Sequence, residues 1–98
     1  MFLEIAQIEI KDGTHADFEA GVAKAKPLFL RAKGCHGVSL QRSVEMPNHY
    51  WLFVEWATVE NHMVDFRNSD DFGKWRELVS PYFAGAPVVS HSRLIDLG

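Results

Sequence analysis

Three side chains in this sequence are placed to move a proton or hold an anion: His62, Arg76 and Glu4. His62 falls with Val59, Met63 and Phe66 on one face of a helix-period segment. A neutral imidazole on such a face can remove a phenolic proton, because its ordinary pKa lies close to neutrality. Its plain alternative is a core or rim histidine bonded to a backbone carbonyl. Arg76 shares the next stripe with Phe72 and Val79. It can hold an anionic substrate oxygen, or lay its stem on apolar surface with its head in water. Glu4 lies on the strand face expected to look toward the helices. A carboxylate there is costly unless paired or hydrogen-bonded, and burial would turn it into a base of raised pKa. The alternative places it at the sheet end, in water.

The aromatic residues around these groups are dense enough to wall a flat slot. Trp51, Phe66, Phe72 and Trp75 are the candidates for substrate contact, with Trp56 beside them. Their strand and helix spacing also suits an ordinary core. His91 and Arg93 share one face of the last strand, where a structural role is expected, and His36 and His49 sit beside turns. Cys35 follows a helix-ending glycine, and nothing near it in sequence lowers its thiol pKa. No Cys/His spacing matches a zinc site, so no metal is expected.

These residues need a scaffold, and the stretch Tyr50–Phe83 supplies most of it. It holds all three Trp, both Tyr and four of the seven Phe. It opens as a strand-length apolar run, Tyr50 to Trp56, and then changes period from 2 to 3.6. Two short helices are expected there, the first capped by Thr58 and broken at Arg67-Asn68, the second capped by Ser69 and ended at Ser80-Pro81. Before this stretch, Phe2–Ile10 reads as a strand. Thr14 then caps a helix with the stripe Phe18, Val22, Ala25 and Phe29, stopped at Gly34. Val38–Val44 is a second strand, joined to the third by a hairpin loop, and Val88–Leu97 is the last. The order β-α-β-β-(αα)-β predicts an α+β, ferredoxin-like split βαβ fold: an antiparallel sheet with helices on one face. Several strands are apolar on both sides, so a second copy is expected to cover the other face as a homodimer.

At 98 residues and 47% hydrophobic, one domain spanning 1–98 is expected. The formal net charge is -3 with no basic stripe, which argues against nucleic acid as a partner. No run is long enough to cross a bilayer, no signal-peptide pattern opens the chain, and a single cysteine suits a reducing compartment. A cytoplasmic protein with no membrane partner is the expectation.

The order of elements, with Gly34-Cys35-His36-Gly37, Glu55-Trp56-Ala57-Thr58, His62 and Phe66, Ser69-x-x-Phe72-x-x-Trp75 and Pro87-Val88-Val89, resembles the antibiotic biosynthesis monooxygenase family over nearly the whole chain. The resemblance implies a dimeric α/β barrel with a pocket between sheet and helices in each subunit. It also implies a cofactor-independent monooxygenase acting on a phenolic, quinol or polyketide-like molecule, which is deprotonated, held dry and left to react with oxygen. The family's haem-degrading branch relies on an Asn, a Trp and a His at positions that correspond here to Ala6, Phe66 and Arg76, so haem breakdown is not expected. Two other functions stay open: a binding or dimerisation module whose pocket is filled by side chains, and an isomerase or lyase that transfers protons without oxygen.

Overall fold

The computed structural model describes residues 1–98. The expected order is present: strand β1 (Phe2–Glu9), helix α1 (His15–Leu30), β2 (Cys35–Arg42), β3 (His49–Trp56), a π-helical segment (Asn61–Phe66), α2 (Asp70–Val79) and β4 (Val88–Arg93). The four strands form one sheet in the order β2-β3-β1-β4, with every neighbouring pair antiparallel. Alternation along the strands decides what is buried. Glu4, Ala6 and Ile8 of β1 and Tyr50, Leu52, Val54 and Trp56 of β3 are all buried beneath the helices. Leu3, Ile5, Trp51 and Phe53 point the other way and are half-buried.

Helix α1 buries its predicted stripe, Phe18, Val22, Ala25 and Phe29. Gly21 joins that buried face for a steric reason. A Cβ there would meet the Leu78 carbonyl oxygen at 2.6 Å, so the glycine lets the end of α2 pack against α1. Arg31 closes the same contact from outside, with its guanidinium 2.6 Å from Asp71. Ser69 caps α2 as its sequence suggested, its Oγ accepting from the Phe72 N–H at 3.3 Å.

Four sequence expectations are corrected. Thr14 does not cap α1 with its side chain, because its hydroxyl donates to the Lys11 carbonyl and is used up in the turn. β2 runs from Cys35 to Arg42 rather than Val38 to Val44, displaced toward the glycines that lead into it. β4 stops at Arg93, where pairing with β1 runs out at Phe2, so Leu94, Ile95 and Leu97 are exposed beyond it. The first helix of the pair is a π-helix, in which the Arg67 N–H reaches back five residues to the His62 carbonyl. The wider turn breaks the 3.6 spacing. Asn61, His62 and Phe66 are buried, while Met63 is turned outward.

Candidate active site

Between the inner sheet face and the helices lies a cavity of about 460 Å³. The space is a hollow, not a plug of side chains. β1 contributes Glu4, Ala6 and Ile8, and β3 contributes Leu52. The π-helix places His62 and Arg67 at it, α2 places Phe72, Trp75 and Arg76, and Phe83, Ala86, Pro87 and Val89 complete the wall. π-Turns are rare and concentrate at functional sites. Here the five-residue step from His62 to Arg67 is what brings both side chains to one cavity.

The polar end of the cavity is a short hydrogen-bonded chain. Trp56 Nε1 donates to Glu4 Oε1 at 3.0 Å, and His62 Nε2 lies 3.3 Å from the same oxygen. On its other side, His62 Nδ1 is 2.8 Å from His91 Nε2. The His62 ring is stacked on Trp56, 5.5 Å between centroids and 14° from parallel, so its plane is fixed. Glu4 and His62 are only 5% and 3% exposed. Burial sets their charge. Removal from water pushes the Glu4 carboxyl up to about 7, against the smaller pull of the Trp56 hydrogen bond and the Arg67 charge. Burial, then the neighbouring His91 and Arg67, push His62 down to about 4. His91 is lowered as well, by burial and then by Arg67.

The Glu4–His62 contact has the length of an ion pair, yet burial disfavours ionising either partner, so near neutral pH the imidazole is neutral and the carboxyl sits close to its midpoint. Only one hydrogen can lie between His62 Nδ1 and His91 Nε2. With Glu4 ionised, His62 Nε2–H donates to the carboxylate and His91 Nε2–H donates to His62 Nδ1. A shift of both hydrogens toward Glu4 makes it a carboxylic acid, and His91 then takes a proton at its other nitrogen. The chain of contacts can therefore pass a proton between the cavity and the half-buried β4 edge.

The structure brings Glu4, His62, Arg76, Phe72 and Trp75 to one cavity. It does not bring Trp51 or Phe66. Trp51 pairs with Gln7 on the opposite sheet face, because residues one apart on a strand face opposite ways. Phe66 is 3% exposed and packs against Phe29, Trp56 and Phe72, behind the cavity wall. Sequence reasoning missed Arg67, read as a helix breaker, and gave His91 a structural role. His91 pairs with Glu4 across β1 and β4, a register that the sequence does not display. No sequence signal marked the π-turn. No group of three or more His, Cys, Asp or Glu converges where a metal ion would sit.

Residues 1–78 match the antibiotic biosynthesis monooxygenase family. The chain is 34% identical over 91 residues to the uncharacterized protein YczJ of Bacillus subtilis (strain 168), covering 93% of this chain and 96% of that one. A Bordetella bronchiseptica protein of known crystal structure, carrying the same family description, is 57% identical over 96% of both chains, with a TM-score of 0.95. One from Caulobacter crescentus shares the fold at 20% identity and a TM-score of 0.83, over 97% of this chain and 90% of that one. The match over residues 1–78, with a 57% identical relative of the same fold, shows that the chain belongs to the antibiotic biosynthesis monooxygenase family.

Proposed function

We propose that this protein is a cofactor-independent monooxygenase that oxidises a phenolic or quinol-type small molecule in the cavity over β1 and β3. The observation that carries the reading is Glu4: a carboxyl buried at the cavity wall, raised to about 7, and held by Trp56 and His62. A base works best when its pKa lies near the working pH. That favours Glu4 over His62, whose two nitrogens are already engaged and whose basicity is depressed. Glu4 takes the substrate hydroxyl proton, His62 orients the carboxylate, and His91 connects the pair to the sheet edge. Phe72 and Trp75 hold the ring and keep water away. A cavity of about 460 Å³ suits a molecule of two or three fused rings. The phenolate then reduces dioxygen: one oxygen atom enters the substrate, the other leaves as water, and all four electrons come from the substrate.

Oxygen uptake with a panel of naphthalene quinols, in the presence of a chelator and without flavin, tests this. One dioxygen consumed per product, and loss of uptake in Glu4→Gln, are expected. No uptake above the spontaneous rate across the panel would overturn it. A second reading, an isomerase or lyase, is favoured by the Glu4–His62–His91 chain, since a proton relay does not itself need oxygen. Substrate conversion under nitrogen distinguishes it.

The functional unit is proposed to be a homodimer. Leu3, Ile5, Trp51 and Phe53 form an apolar patch on the sheet face that the helices leave open, and a second copy of that face would cover it.

A further inference from the structure

The cavity is electrostatically one-sided. Glu4 is the only acidic residue lining it, whereas Arg67 and Arg76 both do. Of the three arginines outside the cavity, Arg31 is clamped by Asp71 through two hydrogen bonds and Arg42 lies beside Glu19, while Arg93, exposed at the end of β4, has no ion pair. Arg67 and Arg76 have no carboxylate within ion-pair distance and no side-chain hydrogen bond to the protein. They reach the cavity from different elements, Arg67 from the end of the π-helix and Arg76 from α2, one turn beyond Phe72. Arg67 follows the segment that carries His62 and lines the same cavity, and its charge acts on Glu4, His62 and His91 together. Both arginines are solvent-exposed at the rim of the cavity, and two cations without a protein partner beside one hollow favour an anion in it.

We propose that the cavity selects an aromatic carboxylate: a fused-ring molecule that carries an ionisable hydroxyl and a carboxylate, the carboxylate held by Arg67 and Arg76 and the ring laid against Phe72 and Trp75. This rests on the cavity being the substrate site, as argued above. The planar guanidinium fork matches a carboxylate in two parallel hydrogen bonds, which a neutral hydroxyl cannot supply. The assignment also separates two tasks. The arginines bind the permanent anion, which leaves Glu4 free to deprotonate the hydroxyl.

Binding can be read without turnover. The full chain is titrated under nitrogen at pH 7.5 with 1-hydroxy-2-naphthoate and, separately, with 1-naphthol, by calorimetry and by quenching of tryptophan fluorescence. The acid is expected to bind at least about tenfold more tightly than the naphthol. In the double variant Arg67→Gln/Arg76→Gln the preference should fall to about twofold or less, with the naphthol reporting that the cavity persists. Should the double variant fail to fold, each single variant reads the same ratio and should lose part of it. Equal affinities in the unmodified protein, or a preference that survives the substitutions, would overturn the assignment. Such a failure leaves the oxygenase reading standing, because oxygen uptake with neutral quinols tests that separately. Binding of neither compound counts against the cavity as a substrate site, and so against both readings.

Discussion

The two faces of the sheet are built from the same strands, yet one is chemical and the other is only sticky. On the inner face, β1 and β3 bury Glu4 and Trp56 together with Ala6, Ile8, Leu52 and Val54. On the outer face the same strands offer Leu3, Ile5, Trp51 and Phe53, and their ionic residues, Glu9 and Glu55, stay in water. The difference lies in what covers each side. Helices over the inner face remove water from Glu4 and give it the His62 imidazole as a partner, while the neighbouring strand β3 supplies the Trp56 indole. The outer face has no such cover from helices, so its carboxylates stay exposed. A carboxyl is raised here by its layer in the fold, not by its residue type.

The largest expected effect comes from removing that one inner-face charge. Glu4→Gln keeps the volume and the capacity to accept from Trp56 but cannot take a proton. Turnover with the active quinol should fall by roughly 10²- to 10⁴-fold, while stability at pH 8 holds or rises, because an ionised buried group has gone. Turnover within a few-fold of the unmodified protein would return the role of base to another residue.

The pH dependence of stability sharpens the contrast next. Glu4 is raised from 4.5 to about 7, so the folded state holds its proton longer than the unfolded state does, and its contribution to stability is lost as pH climbs from about 4.5 to 7. His62 is lowered from 6.5 to about 4, so the unfolded state holds the extra proton, and stability is gained as pH climbs from about 4 to 6.5. Each effect amounts to about 3 kcal/mol, and they oppose each other. The unmodified protein should therefore show a flat profile. Glu4→Gln should gain stability across that window, and His62→Gln should lose it. Urea midpoints measured from pH 4 to 8 check this, and three parallel profiles would show that neither group is perturbed.

A charge placed on the outer face tests its role as a contact surface. Ile5→Asp should weaken the proposed homodimer by about 100-fold in Kd, since a carboxylate at the centre of an apolar contact would lose water without gaining a partner. Sedimentation velocity over a dilution series reads the shift, and an unchanged sedimentation coefficient would mean that the face is not the interface. The smallest effect is expected from His91→Ala, which leaves Glu4 and the ring-binding wall in place but cuts the path to the sheet edge. Turnover should drop about tenfold with KM little changed, and the pH optimum should move. An unaltered pH profile would assign His91 a packing role only.

Much of this was legible from periodicity. The alternation in Phe2–Ile10 placed Glu4 on the helix side, and the stripe from Phe18 to Phe29 is the one that α1 buries; Tyr50–Trp56 is apolar throughout, so it did not separate Trp51 from Trp56. The illegible part was local. A six-residue π-helix has no hydrophobic signature of its own, so Met63 was expected inward and Arg67 was read as a terminator. His91 was hidden differently: its partner His62 is 29 residues away, and only the β1–β4 pairing brings them together.

The sequence by itself determined the order of elements, the inner face of β1 and of α1, and the caution that both sheet faces are apolar, because these follow from spacing along one chain. Tertiary structure alone decided that Glu4 meets Trp56 and His62, that His91 continues the chain, and that Arg67 turns toward the cavity. The physical reason is that a pKa is set by the water and charges within a few ångströms. Those neighbours come from β1, β3, β4 and the π-helix, whose separation in sequence says nothing of their distance in space.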